Sequence, residues 1–229
     1  MHNKSVVQLI NSLHANKIHN FYYCPQSSSF LINQKINNAF VFPGSFNPLT
    51  HGHIAIMKAV LKKYKSTQHF VFEISIKNAD KGAKAVEQQA AIIVQFVKYN
   101  LPLLITNAPL FADKLDFFEN VIVLCGADTY RRIIDLKYYE MDENRLLSFL
   151  EKVKKNDSRF VVIPRYASDN GKLDNLSDIL KSTNLDTKIK ELLESITEEL
   201  EDFRIDISST EIRNKLKENL IEDYLKDYI

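Results

Sequence analysis

The chain has 229 residues, of which 45% are hydrophobic and 26% are charged, and its formal net charge is +1. This composition is typical of a globular protein. The near-neutral charge provides no general attraction to nucleic acid or to a membrane surface, so neither is expected as a partner. No apolar run approaches the roughly 20 residues of a membrane helix. The two cysteines, Cys24 and Cys125, suit a reducing compartment, and we expect a cytoplasmic protein.

The first 37 residues differ in pattern from the rest of the chain. They contain one short helical pattern over residues 6–13, followed by a segment without clear periodicity. We expect residues 1–37 to form an N-terminal arm or capping element. Residues 38–229 are predicted to form the main domain.

From residue 38 onward, short β-branched runs alternate with helical patterns. Strands are predicted over residues 39–42, 69–76, 101–106, 121–125, 160–163 and 203–207. Helices are predicted over residues 54–64, 85–99 and 129–155, the last with a break near Asp142, and an acidic helical pattern covers residues 188–202. Continuously apolar strands are typical of a sheet that is buried on both faces. We therefore predict an α/β fold with a doubly wound parallel sheet.

The segment FPGSFNPLTHGH, residues 42–53, joins the first of these strands to the helix that follows. It holds two of only five glycines in the chain, Gly44 and Gly52. Gly44 leaves the backbone open to a close ligand, and the N-terminus of the next helix can bind an anion. His53 lies in the first turn of that helix, where its ring can reach a bound phosphate. The alternative is a tight turn with a histidine that packs locally.

A second segment, FRIDISSTEIRNKL at residues 203–216, places hydroxyl groups at a predicted helix start. Ser208, Ser209 and Thr210 are followed by Arg213 one turn later. Hydroxyls, backbone N–H groups and a cation together form a phosphate-binding arrangement. The same serines and threonine would also serve as an ordinary N-cap.

Together the two segments resemble the two signatures of the nucleotidyltransferase superfamily. The first signature, G-[ST]-F-x-P-x-[HT]-x-[GN]-H, is filled by Gly44, Ser45, Phe46, Pro48, Thr50, Gly52 and His53. The C-terminal signature, I-S-[ST]-[ST]-x-[IL]-R, is matched from Ile207 to Arg213. His51 falls on a variable position of this alignment, which indicates a solvent-facing neighbour of the catalytic residues.

The resemblance implies a Rossmann-like nucleotidyltransferase that moves a nucleoside monophosphate from an NTP to a phosphorylated acceptor and releases pyrophosphate. It implies catalytic roles for His53, Thr50 and Arg213. The ATP-binding residues that it implies are Gly44, Ser45, Phe46, His53, Arg165, Ser208, Ser209, Thr210 and Arg213. Mg²⁺ would enter with ATP, and no cluster of acidic residues indicates a dedicated metal site.

The acceptor is suggested by two further segments. GADTYRRI, residues 126–133, resembles the G-[AT]-D segment of nicotinamide and nicotinate mononucleotide adenylyltransferases, which implies that Gly126 and Asp128 contact the acceptor. NADKG, residues 78–82, places Lys81 where this family often keeps a lysine for the acceptor phosphate. The alternatives are a turn with an N-cap and a solvated lysine. The tryptophan that commonly stacks on the pyridine ring in these relatives is missing, and the aromatic residues that could replace it are Phe111, Phe117, Phe118 and Tyr130.

The function that this resemblance implies is transfer of AMP from ATP to nicotinamide mononucleotide, or to a related mononucleotide, to form NAD and pyrophosphate in NAD biosynthesis. A second hypothesis keeps the chemistry but uses another phosphorylated acceptor or CTP. A third is a non-catalytic nucleotide-binding protein that acts through partners. The pattern does not determine the oligomeric state.

Overall fold

The computed structural model describes residues 2–65, 68–77, 85–166 and 173–200. Within these ranges the helices are α1 (His2–His14), α2 (His51–Tyr64), α3 (Val86–Lys98), α4 (Phe111–Lys114), α5 (Ala127–Ile133), α6 (Glu143–Lys155), α7 (Leu176–Ser182) and α8 (Thr187–Ser195). The strands are β1 (Asn20–Cys24), β2 (Ser29–Ile32), β3 (Ile36–Pro43), β4 (His69–Ser75), β5 (Leu103–Thr106), β6 (Phe118–Gly126), β7 (Arg159–Ile163), β8 (Arg165–Tyr166), β9 (Leu173–Asp174) and β10 (Thr197–Glu199). Short 3₁₀ helices cover Leu115–Phe117 and Leu136–Tyr139.

The structure is α/β, with an eight-stranded, mostly parallel sheet flanked by helices. Strands β8 and β9 form a separate antiparallel pair. The predicted α/β class with a doubly wound, Rossmann-like sheet is confirmed. None of the helices in the described ranges has the length and apolar character needed to cross a membrane.

The chain divides into two compact units, and the described part of the first lies within residues 1–34 and 44–109. Here β4 and β5 are parallel, while β1 is antiparallel both to β5 and to β2. Its core contains Phe72 and Leu103 on neighbouring strands and Phe96 from α3, all fully buried. Helices α1 and α3 contact each other, and the apolar side of α1 is buried as well.

The first 34 residues add a helix and a β-hairpin to this unit. In β1, Phe21 and Tyr23 are buried while Tyr22 and Cys24 are half-buried, which is the alternation of a strand with one face on the core. The segment without clear periodicity is therefore regular structure, which the sequence pattern did not predict. The predicted boundary after residue 37 falls within β3, and the division into an arm and a domain stays a prediction.

The described part of the second unit lies within residues 35–43 and 110–206. Its strands follow the order β10-β7-β6-β3, and each neighbouring pair is parallel. The strand centres are apolar and buried, notably Phe40 in β3, Val123 in β6 and Val161 in β7. Parallel strands that are buried on both faces explain why the predicted strands are continuously apolar.

One sequence prediction requires correction in this unit. The acidic helix expected over residues 188–202 ends at Ser195, and Thr197–Glu199 forms β10 instead. Ile196 accepts a backbone hydrogen bond from Phe160 and Leu200 donates one to Val162, both at 2.8 Å, so pairing with β7 overrides the local helical preference. The strand predicted over residues 203–207 lies outside the described residues.

Candidate functional site

The turn between β3 and α2 is held by hydrogen bonds from the first unit. The Gly44 N–H donates to the carbonyl oxygen of Glu73 at 3.0 Å, and the Leu49 N–H donates to Gln95 Oε1 at 3.2 Å. Phe46 adopts a φ of 39°, a left-handed conformation that is uncommon for residues other than glycine. Gly44 and Ser45 are exposed at the start of this turn. The backbone path of the signature is therefore tightly defined at both ends.

Phe46 explains why glycine stands at position 44. A Cβ atom on Gly44 would lie 2.6 Å from Cζ of the Phe46 ring, well inside van der Waals contact. The Phe46 side chain is only 2% exposed. The Phe46 side chain therefore supports the turn from inside and offers almost no surface to a ligand, and the predicted ATP contact of Phe46 stays a prediction.

The Phe46 ring also packs against His53. Their ring centroids are 4.9 Å apart with an interplanar angle of 81°, an edge-to-face geometry that aromatic rings prefer. Phe46 makes similar contacts with Phe72 at 5.2 Å and Phe96 at 5.5 Å. The imidazole is therefore held on one side by an aromatic cluster that reaches into the core of the first unit.

Thr50 holds His53 on the other side. Thr50 is the N-cap of α2, and its backbone N–H donates to Nδ1 of His53 at 3.0 Å. His53 is the third residue of the helix, and its side chain thus accepts the N-cap hydrogen bond of a capping box. An N–H group can only donate, so Nδ1 is the unprotonated nitrogen and the proton of the neutral ring is on Nε2. With the tautomer so defined, the Thr50 hydroxyl, 2.9 Å from Nδ1, also donates to it. Thr50 is 4% exposed and orients the imidazole, while its predicted contact with phosphate stays a prediction.

The electrostatic environment keeps His53 neutral. Burial, together with the nearby charge of His51, lowers the pKa of His53 to about 4. At neutral pH the ring therefore presents an Nε2–H donor beside the N-terminus of α2, a helix of 14 residues whose first N–H groups attract anions. This arrangement suits hydrogen bonding to a phosphate oxygen. His51, the first residue of α2, is half-buried.

Gly126 and Asp128 lie in the second unit, where β6 leads into α5. Gly126 is the N-cap of α5 with φ −70° and ψ 162°, angles that any residue can adopt. A Cβ atom on Gly126 would meet nothing within 4 Å, and Asp128 in the first helical turn is exposed. The fold itself therefore does not require glycine at position 126, and open space adjoins it.

Two of the four aromatic residues proposed to replace the missing tryptophan are buried. Phe118 is 1% exposed and Tyr130 is 0% exposed, and both rings belong to the core of the second unit. The suggestion that either ring replaces the tryptophan was therefore wrong. Phe111 is half-buried and packs against Phe118, Phe149 and Phe160 at centroid distances of 5.6 to 6.2 Å. Among these candidates, Phe111 and Phe117 keep some exposed surface.

Several predicted site residues fall where no side chain is described. Lys81, Ser208, Ser209, Thr210 and Arg213 lie outside the described residues. Arg165 begins β8, and only its backbone placement is described. Within the described ranges, no group of three or more His, Cys, Asp or Glu side chains could hold a metal ion.

Residues that support the turn were not found from the sequence. These residues are Glu73 and Phe72 on β4 and Gln95 and Phe96 on α3, all at least 19 positions from the signature. Each is an ordinary strand or helix residue by pattern. Only the tertiary contacts identify them as the residues that fix the geometry around His53.

Comparison with models of protein families identifies the family of the chain. The sequence model of the family described as cytidylyltransferase-like matches residues 41–215, which is most of the chain and includes both signatures. The chain belongs to the cytidylyltransferase-like family. This membership supports a nucleotidyltransferase activity and confirms the superfamily predicted from the signatures. No curated protein matches the chain.

Proposed function

We propose that this member of the cytidylyltransferase-like family transfers AMP from ATP to nicotinamide mononucleotide, or to a related mononucleotide, and forms NAD and pyrophosphate. The observation that carries the proposal is the held, neutral imidazole of His53 at the start of α2, within a complete first signature. The choice of acceptor is supported by the similarity of residues 126–133 to the corresponding segment of mononucleotide adenylyltransferases.

The reaction is a direct displacement at phosphorus. A phosphate oxygen of the acceptor attacks the α-phosphorus of ATP, and the bond from that phosphorus to the oxygen bridging to the β-phosphate breaks. Pyrophosphate leaves with the bonding electron pair. Such a reaction needs alignment of the two substrates and stabilisation of the charge that develops on the α-phosphate oxygens.

In this proposal the Nε2–H of His53 donates to an oxygen of the α-phosphate. Because Nδ1 is already bonded to the Thr50 N–H, the donor is oriented before ATP binds. A preoriented donor stabilises developing charge without reorganisation during the reaction. The exposed backbone at Gly44 and Ser45 is proposed to adjoin the same phosphate.

The remaining substrate contacts follow from the family signature and are proposals about the other predicted residues. Ser208, Ser209, Thr210 and Arg213 would bind the β- and γ-phosphates, and Arg165 would lie near the nucleotide. Gly126, Asp128 and Lys81 would contact the acceptor. Magnesium would arrive as part of the MgATP substrate and reduce the negative charge of the triphosphate.

A substrate panel tests the proposal. The purified chain is incubated with ATP or CTP, each paired with nicotinamide mononucleotide, nicotinate mononucleotide or a phosphoalcohol, and pyrophosphate release is followed. We expect turnover with ATP and a pyridine mononucleotide, with NAD or its nicotinate analogue identified by mass.

Two results would contradict the proposal in different ways. Turnover only with CTP and a phosphoalcohol would assign the chain to the second hypothesis, a nucleotidyltransferase with a different acceptor. Measurable binding of ATP without pyrophosphate release from any pair would instead favour the non-catalytic nucleotide-binding protein.

A further inference from the structure

Helix α5 carries two proposed acceptor contacts at its start, yet it is short. It has seven residues, and its N-cap Gly126 provides no side-chain hydrogen bond. Isolated helices of this length are not stable in water, so the orientation of α5 depends on tertiary contacts. Its buried residues are Ala127, Tyr130 and Ile133.

Tyr130 provides the polar part of that anchoring. Its side chain is 0% exposed, and its hydroxyl lies 2.9 Å from the hydroxyl of Thr197, the first residue of β10. The ring packs edge-to-face against Phe160 of β7, with centroids 5.9 Å apart. Burial raises the pKa of Tyr130 well above its ordinary value, so the hydroxyl keeps its proton.

Thr197 is a well-defined partner because the backbone on both sides of it is fixed. Ile196 accepts a hydrogen bond from the Phe160 N–H, and Leu200 donates one to Val162, so β10 is tied to β7 before and after the threonine. A hydroxyl on such a strand provides a fixed reference for the helix that bonds to it. Asp128, two residues before Tyr130, is exposed on the same short helix.

We propose that Tyr130 is a positioning residue for the acceptor, which orients the first turn of α5 through its hydrogen bond to Thr197. The inference rests on the proposed function, because it assumes that Gly126 and Asp128 contact the acceptor. Tyr130 itself touches neither substrate. Its hydroxyl therefore affects the reaction only through the placement of that turn.

The test is a double-mutant cycle of Tyr130→Phe and Thr197→Val. Each variant removes one hydroxyl and keeps most of the side-chain volume. We expect each single variant to raise the KM of the acceptor about fivefold, with the KM of ATP unchanged, because one net hydrogen bond is lost. The double variant should behave like either single variant, since both hydroxyls act through the same bond.

Tyr23→Phe is the matched control. Tyr23 is also buried, and its hydroxyl donates to Asn100 Oδ1 at 3.0 Å in the first unit. This control should lose a similar amount of thermal stability and keep the acceptor KM of the parent. If Tyr130 acted on stability alone, Tyr130→Phe and Tyr23→Phe would lose similar thermal stability, and both variants would keep the acceptor KM of the parent.

Each possible result supports or overturns the inference. A folded Tyr130→Phe variant with a normal acceptor KM, or additive effects in the double variant, overturns it while the proposed function stands. If Tyr130→Phe does not fold, Thr197→Val takes its place, and a normal acceptor KM in that variant overturns the inference. A parent chain that turns over no pyridine mononucleotide overturns the proposed function and this inference together.

Discussion

The two strand-to-helix turns that carry the predicted site residues are built in opposite ways. After β3, the side chains of the turn are packed closely. A Cβ atom on Gly44 would clash with the Phe46 ring, and the Thr50 N–H donates a hydrogen bond to Nδ1 of His53. After β6, the turn is open: Gly126 faces empty space, and Asp128 is exposed.

This difference separates residues that the fold requires from residues that it does not. A glycine that the packing demands says little about ligands, because any side chain there would disturb the protein itself. A glycine with free space and ordinary backbone angles is explained more readily by a ligand that approaches it closely. The first turn therefore supplies an oriented donor, and the second supplies accessible surface.

The largest effect is expected from removing the oriented donor. We predict that His53→Ala lowers kcat by about 10²-fold, because one preorganised donor to a phosphate oxygen is lost. Steady-state pyrophosphate release measures the rate, and circular dichroism checks that the variant is folded. His51→Ala is the control and should stay within about twofold of the parent. Equal losses in the two variants would remove the special role of position 53.

The closely packed turn should also be visible in the pH dependence of stability. The pKa of His53 is about 4 in the folded chain against an ordinary value of 6.5, so between these values the unfolded chain binds more protons. The contribution of neutral His53 to the free energy of unfolding is therefore fully present above pH 6.5. It decreases as the pH falls towards 4, by about 3 kcal/mol in total. Urea unfolding at pH 7, 5.5 and 4.5 measures it.

The comparison variant for this measurement is His53→Asn, which lacks a group that titrates in this range. Its free energy of unfolding should decrease less than that of the parent between pH 7 and 4.5. Parallel profiles for the two proteins would mean that His53 is hydrated and titrates normally, and the description of the turn as closely packed would be wrong.

The clash at Gly44 predicts a somewhat smaller loss. Gly44→Ala places a methyl group against the Phe46 ring and should destabilise the chain by about 2 kcal/mol, as overpacking typically does. For a chain of this size that corresponds to a melting temperature lower by about 6 °C. In a Phe46→Leu background the same substitution should cost less, because the ring that causes the clash is missing. An equal cost in both backgrounds would assign the effect to the backbone.

Part of this architecture could be predicted from the sequence because the signal is local. The apolar runs at the centres of β3, β6 and β7 predicted buried parallel strands, and their positions were confirmed, with boundaries that differ by a few residues. Strand β10 was missed because Thr197–Glu199 carries no strand pattern and is defined by pairing with β7. The hairpin of β1 and β2 was missed because each strand has only four or five residues.

The candidate site likewise contains residues that the sequence predicted and residues that only the tertiary contacts reveal. The signature identified His53 and Thr50, and the structure adds the bond between them and the neutral tautomer. The support from Phe72 and Gln95 depends on contacts between residues far apart in the chain, for which a single sequence has no periodic signal. Local spacing therefore identifies a donor, and tertiary packing decides how firmly the donor is held.

The smallest structural effect, and the most specific functional one, is expected at the open turn. Gly126→Ala should leave the melting temperature unchanged, because its Cβ meets no atom within 4 Å and its backbone angles suit alanine. If the acceptor approaches this backbone, its KM should rise about tenfold while the KM of ATP stays constant, since one added methyl group in a fitted site has about this effect. Gly126→Val should raise it further. A stable Gly126→Val variant with parental kinetics would show that the space beside α5 is solvent, and the acceptor would then have to bind elsewhere.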